Sequence, residues 1–182
     1  ANRLAPFNPT CDHAKIVSLR LLNLTSSDVL FDLGCGDGQV LVSAAKMENA
    51  PRCIGIEFDP VFVAKANQLI RQELSVAQQE KIAIRQGDIL AEAEETDMES
   101  DRIGARCRGL TLQKDSTAVY LYLLPQGLQR IEPLLNRMVE DRRQRGIAFR
   151  VVTYMFQVRC WTASSVDRTT KGEAPVYLYE FS

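Results

Sequence analysis

The residues Asp32-Leu-Gly34-Cys-Gly36-Asp-Gly38 combine flexibility and charge in the manner of a ligand cradle. Glycines let a ligand approach the backbone and let the chain adopt turns that side chains resist. The spacing is G-x-G-x-G rather than the G-x-G-x-x-G of a dinucleotide turn, and carboxylates stand at Asp32 and Asp37. A pyrophosphate would meet two like charges there, whereas a cation would be attracted. Glu57 lies nineteen residues beyond Gly38. An acid at that place suits the two hydroxyls of a ribose. Asp88, or the backbone beside it, suits the amino group of an adenine. Each acid alone reads more readily as a solvated strand end or a helix cap than as a ligand. Taken in order, the set describes a nucleoside ligand that carries positive charge. His13 is the only histidine, and the five cysteines form no C-x-x-C pair, so no metal site is expected.

The elements around these residues follow from hydrophobic period. Residues 1–10, with Pro6 and Pro9, read as an arm, and Thr10 is placed to cap a helix over residues 11–23. Residues 28–33 form a short apolar run that suits a buried strand, and it delivers the chain into the glycine turn. A helix over 39–47 follows, then a strand over 52–57. Asp59-Pro60 then marks a helix start, with Val63, Ala66, Ile70 and Leu74 on one face. A third strand covers 81–86. Residues 91–116 read as an irregular charged connection. A strand over 117–124 precedes a helix over 126–145, which Pro133 should kink or restart. Strands over 148–156 and 175–181 flank a polar loop, 158–174. The alternation of strand and helix predicts an α/β, Rossmann-like, doubly wound and mainly parallel sheet with helices on both faces. The two last strands, with no helix between them, predict an antiparallel finish. One domain over 1–182 is expected, comprising the arm and first helix (1–24), the sheet elements and the insertion.

Composition removes several classes. The chain has 182 residues, 46% hydrophobic and 25% charged, with a net charge of −1. Those are globular values. No apolar run approaches the roughly 20 residues that span a bilayer, so no membrane segment is expected. Six acids, Glu92, Glu94, Glu95, Asp97, Glu99 and Asp101, occupy one stretch, and the remainder carries +5. The stretch reads as a solvated insertion or as a dock for a basic protein. Arg142, Arg143 and Arg145 read as a solvated helix end. Scattered cysteines point to an intracellular compartment that keeps thiols reduced, cytoplasmic or mitochondrial, with room for a leader ahead of Ala1.

S-adenosylmethionine has a ribose, an adenine, a sulfonium cation and an ammonium group, which is what the acids and glycines ask for. The chain resembles class I, seven-β-strand S-adenosylmethionine-dependent methyltransferases from about residue 6 to residue 181. The resemblance implies that S-adenosyl-L-methionine is the cofactor and S-adenosyl-L-homocysteine the product. It implies a cofactor set of Asp32, Gly34, Gly36, Asp37, Gly38, Glu57, Phe58, Asp88, Ile89 and Tyr120. Pro6-Phe-Asn-Pro-Thr10, Tyr120-Leu-Tyr-Leu-Leu-Pro125, Arg150-Val-Val-Thr153 with Trp161, and Val176-Tyr-Leu-Tyr179 look like a small archaeal and mitochondrial group of protein-lysine methyltransferases. That narrower resemblance implies a protein substrate and transfer to a lysine amine.

The run from Tyr120 to Pro125 falls where this fold keeps its acceptor-side residues. Amino-methyltransferases of nucleic-acid bases carry Asp/Asn-Pro-Pro-aromatic there. Tyr-Leu-Leu-Pro in its place, with slight net charge, leads to the expectation of no DNA acceptor and to RNA being disfavoured. Tyr122 is the candidate catalytic residue, and Tyr122, Phe7 and Trp161 are candidates for an aromatic slot around an alkylated amine. The alternative is that Tyr120 and Tyr122 belong to the sheet core and Trp161 packs under the final loop. His13 reads either as a base or as a structural histidine. Methylation of RNA or a small molecule, and a non-catalytic cofactor-binding subunit, are the competing functions.

Overall fold

The computed structural model describes residues 10–90 and 103–182, which divide into two compact units: Leu24–Ser116, and Thr117–Ser182 together with the chain up to Asn23. Among the described residues, no helix is long and apolar enough to cross a membrane.

The unit Leu24–Ser116 is built on three parallel strands, β1 (Val29–Leu33), β2 (Arg52–Glu57) and β3 (Ile82–Gln86). All five residues of β1 are buried, as a parallel strand covered on both faces requires. Register places Leu33 beside Ile56 and Glu57 beside Gln86, so the three strands end at one level. Between them run α2 (Gln39–Ala45), α3 (Pro60–Glu73) and the single turn α4 (Val76–Gln79). Asp59 caps α3 by accepting the Val61 N–H at 2.9 Å, with Pro60 at the first helical position. Leu30, Phe31, Leu41, Ile54, Ile70 and Ile82 are fully buried and form the core of this unit.

The connection expected to be irregular over 91–116 is ordered through its second half. Residues 105–107 form a 3-10 turn, and α5 covers Leu112–Asp115, capped by Thr111. Arg85 fastens this segment to β3 by donating to the Leu110 and Cys107 carbonyls at 2.6 and 3.0 Å. Gly104 allows the close approach, since a Cβ there would lie 2.8 Å from that of Ala83. These contacts cover part of an edge strand, which period alone does not reveal. The acidic stretch 92–101 falls outside the described residues.

The other unit holds α1 (Asp12–Leu22), β4 (Ala118–Leu121), α6 (Pro125–Gln144), β5 (Phe149–Tyr154), β6 (Ser165–Asp167) and β7 (Val176–Phe181). β4 and β5 are parallel, and β7 pairs antiparallel with both β5 and β6. The mainly parallel α/β sheet with an antiparallel finish is therefore present. β6 lies in the segment expected to be a loop. Its exposed residues have no apolar alternation to announce it, and pairing with β7 creates it.

Three local expectations change. α6 runs through Pro133 without a break. Pro133 is exposed, so water can satisfy the carbonyl it leaves, while Leu128, Ile131, Leu135 and Met138 anchor the other face. Arg142 is buried rather than solvated: its guanidinium lies 5.8 Å from the Phe149 ring centre and pairs with Asp141. Arg143 and Arg145 remain exposed in helix-surface ion pairs with Glu140 and Asp141. Thr10 is not a cap. α1 begins one residue later with Cys11 at the cap position, and the Thr10 hydroxyl bonds the Tyr120 hydroxyl at 2.8 Å.

Candidate functional site

The glycine turn leaves β1 with Gly34, Gly36 and Gly38 at φ of +83°, +54° and +79°. This left-handed backbone is the reason glycine recurs at every second position. The Gly34 and Cys35 amides donate to the Ile56 carbonyl at 2.8 and 3.1 Å, which lashes the turn to the end of β2. Gly38 serves packing as well, since a Cβ there would lie 3.0 Å from that of Ala66 on α3. Gly55 in β2 has a similar role that the sequence reading missed. A Cβ at Gly55 would fall 2.6 Å from the Cys35 sulfur and 2.7 Å from Leu41. A lone glycine inside an apolar strand was the available signal.

Glu57 ends β2, and both of its oxygens face backbone donors. One accepts the Gly36 amide at 2.9 Å and the other the Asp59 amide at 2.9 Å. The carboxylate thus fixes the turn and the start of α3 in one orientation. A carboxylate oxygen has two lone pairs, so capacity for ribose hydroxyls is retained. Asp32 is buried at the end of β1. Burial first, then the nearby Glu57 and Asp37 carboxylates, push its pKa well above the ordinary carboxylate value. Burial first, then the Asp32 and Glu57 carboxyls, push the Cys35 thiol well above its ordinary value, so Cys35 is a packed neutral thiol and not a nucleophile. Asp37 accepts a hydrogen bond from the Gln39 amide at 2.7 Å. Asp88 follows β3 and accepts the Leu90 N–H at 3.0 Å, and the Gly87 amide donates to the Glu57 carbonyl at 3.0 Å. Phe58 is 49% exposed, and Ile89 is half-buried beside Asp88.

This unit therefore gathers Asp32, the glycine turn, Asp37, Glu57, Phe58, Asp88 and Ile89 at the carboxyl ends of three parallel strands. Open α/β sheets bind ligands there. The concentration of negative charge fits a cationic ligand, and the left-handed turn offers backbone to it. S-adenosylmethionine meets both conditions. Among the described residues, no group of His, Cys, Asp and Glu is placed to hold a metal ion.

In the other unit, Tyr120 is 1% exposed, with its hydroxyl on Thr10, so it occupies the sheet core. Tyr122 follows β4 and is half-buried. Its ring centre lies 4.8 Å from that of Tyr154 at the end of β5, tilted by 58°, and its hydroxyl donates to the Met155 sulfur at 3.0 Å. Trp161 does not join this pair. It packs edge-on against Tyr179 and Phe181 at 5.3 and 4.8 Å and donates to Asn136 at 2.8 Å. The expected slot thus loses Trp161 and gains Tyr154, while Phe7 lies outside the described residues. Tyr154 was legible only as a strand residue. The β4–β5 register, not any sequence motif, brings it to Tyr122. His13 meets the Thr169 hydroxyl at 3.2 Å on the surface, beside the Arg20–Asp167 ion pair.

No protein-family model matches the chain. The chain is 24% identical over 176 residues to a protein-lysine N-methyltransferase of Saccharolobus islandicus, covering 96% of this chain and 92% of that one. A stretch of 88 residues is 33% identical to the 7SK snRNA methylphosphate capping enzyme of Mus musculus, spanning 48% of this chain but only 13% of that protein. Among solved structures, an RNA methyltransferase from Salinibacter ruber in complex with S-adenosyl-L-homocysteine superposes with a TM-score of 0.70 and 26% identity. It covers 96% of this chain and 94% of its own. Two of these three similarities are to proteins named for RNA, which overturns the expectation that RNA is an unlikely partner. The chain thus has the class I, seven-β-strand fold of S-adenosylmethionine-dependent methyltransferases, and methyl transfer from S-adenosylmethionine is its activity.

Proposed function

We propose that this methyltransferase transfers the methyl group to the ε-amine of a protein lysine. The observation that carries the cofactor half is the Asp32, Asp37 and Glu57 carboxylates grouped around a left-handed glycine turn. Bound S-adenosylmethionine supplies a methyl group on a positively charged sulfur. Glu57 and the turn would hold its ribose, Asp32 and Asp37 its cationic end, and Asp88 with Phe58 its adenine. What supports lysine is the similarity to a protein-lysine N-methyltransferase along nearly the full length of both chains.

A lysine of ordinary pKa is neutral about once in 2500 at pH 7, a deficit of about 4.6 kcal/mol. A dry pocket and a neighbouring cation both lower that pKa, so the amine can be made neutral without a dedicated base. The chain's task is then to hold the amine close, aligned and desolvated.

RNA is the second reading. It rests on the Salinibacter ruber structure, which matches over as much of the chain, and on the capping-enzyme stretch. The RNA similarities outnumber the lysine one, so acceptor identity has to come from a direct assay. Radiolabelled methyl from S-adenosylmethionine is offered to fractionated host extract, with each sample split between protease and nuclease and Gly36→Val as control. Protease-sensitive label recovered as methyl-lysine, and absent in the control, is the expected result. Nuclease-sensitive label would replace lysine by RNA. Label in small molecules alone would overturn both.

A further inference from the structure

The three carboxyl groups at the glycine turn are not equivalent. Glu57 has a donor on each oxygen, the Gly36 and Asp59 amides, both at 2.9 Å. Asp37 accepts from the Gln39 side-chain amide at 2.7 Å. Asp32 is 3% exposed, and among the described residues no side-chain or backbone donor meets its oxygens. Its register neighbour on β2 is Gly55, which brings no side chain. The ionisable groups around it are Glu57 and the Cys53 thiol from β2, and Cys35 and Asp37 from the turn. α2 carries no ionisable side chain. The charges that act on Asp32, those of Glu57 and Asp37, are both negative.

An ionised carboxyl taken out of water with neither a donor nor a cation costs more than the same group with its proton on. Burial and the two neighbouring carboxylates accordingly push Asp32 well above the ordinary carboxylate range. An opposite charge within about 4–6 Å reverses that balance, because it favours the charged form. S-adenosylmethionine brings two positive groups, an ammonium and a sulfonium. It supplies what the chain itself does not place beside Asp32.

We propose that Asp32 couples cofactor binding to proton release: its carboxyl is neutral in the ligand-free chain and gives its proton to solvent as the positive end of the cofactor is seated. A neutral acid and a cation become an ion pair, and the buffer gains the proton, so charge balances. Asp32 is then the residue that reads positive charge on the ligand, since a neutral nucleoside gains nothing from it. The inference rests on S-adenosylmethionine binding at this turn and not on which acceptor is used.

The test is calorimetry of S-adenosylmethionine binding between pH 6 and 7 in buffers of different ionisation enthalpy, which counts the protons released. The α-amino group of the ligand titrates at about 7.7–8.0, so it is already mostly charged there and the count reports the protein. Wild type should release about half a proton or more per site, and its Kd should tighten by up to about tenfold per pH unit. Asp32→Asn should bind more weakly, release almost none and lose the pH dependence, while Asp37→Asn keeps the release. Thermal melts show that both variants fold. Adenosine keeps the ribose and base without either cation, and its Kd, measured by competition, should be flat with pH. S-adenosylhomocysteine separates the two positive groups. Release with it as well supports the inference with the ammonium as the group that meets Asp32, and release with S-adenosylmethionine alone supports it with the sulfonium. Binding without proton release in wild type would overturn the inference and leave the cofactor site standing. Undiminished release in Asp32→Asn, or equal release with adenosine, would overturn it too. A wild-type chain that binds no S-adenosylmethionine would overturn both readings.

Discussion

Asp32 is stable in its place only in part. Its carboxyl is buried beside Glu57 and Asp37, and its folded pKa lies well above the ordinary value. A carboxylate with a raised folded pKa costs stability once the pH exceeds its unfolded value of about 3.9, and the cost grows up to the folded value. Asp32→Asn should therefore raise the melting temperature of the ligand-free protein at pH 7, with the gain vanishing near pH 4. The same substitution should weaken S-adenosylmethionine binding, because the charge that destabilises the empty turn attracts the cation. Thermal melts across pH and calorimetry on one variant measure the two effects, and their opposite signs are the prediction. For Glu57→Ala, loss of a charged hydrogen-bonding group costs about 1.5–3 kcal/mol, or roughly ten- to a hundredfold in cofactor affinity. Gly36→Val should abolish binding, since Gly36 is left-handed at φ +54° and its amide is the donor that seats Glu57. Wild-type affinity in both variants would remove the site from this turn. These acids and glycines were all legible in the sequence. The structural role of Glu57, which holds the turn through the Gly36 amide, was not, because that contact spans 21 positions.

At the level of elements, Pro133 and Gly55 give predictions of opposite sign. Pro133 lies inside α6, which continues through it. An interior proline costs a helix up to about 3 kcal/mol, and this one is exposed, so Pro133→Ala should stabilise by about 1–3 kcal/mol in denaturant melts. Gly55→Ala places a methyl group against Cys35, Leu41 and Ile84, each closer than 3 Å. Overpacking of that kind costs roughly 1–3 kcal/mol and should also reduce cofactor binding, since Cys35 sits within the turn. Most helices and strands could be read from period and caps, with α3 the clearest case, where Asp59-Pro60 does what its residue types suggest. The exceptions share one cause. β6 exists because β7 pairs with it, Arg142 is buried because Phe149 receives it, and residues 103–116 are ordered because Arg85 reaches their carbonyls. Each depends on a partner outside the element itself, which the period within that element does not report.

For the whole molecule, a ligand that binds only the folded chain adds stability by mass action, about 2.7 kcal/mol at a hundred times its Kd. For a chain of this length that is roughly 5–10 °C. S-adenosylmethionine and S-adenosylhomocysteine should each raise the melting temperature by about that much in wild type and not in Gly36→Val. A shift in both would place the ligand elsewhere. The sequence alone determined the α/β order, the glycine turn, the acids that end successive strands and the methyltransferase fold they imply. It could do so because those features are local: period, turn chemistry and an acid at the end of an apolar run need no distant partner. Only the tertiary structure decided that Tyr120 belongs to the core, that Trp161 belongs to β7, and that Tyr154 and Met155 close on Tyr122. Those assignments depend on partners outside the element that carries each residue, and they are fixed by packing across the sheet rather than by the identity of any one residue.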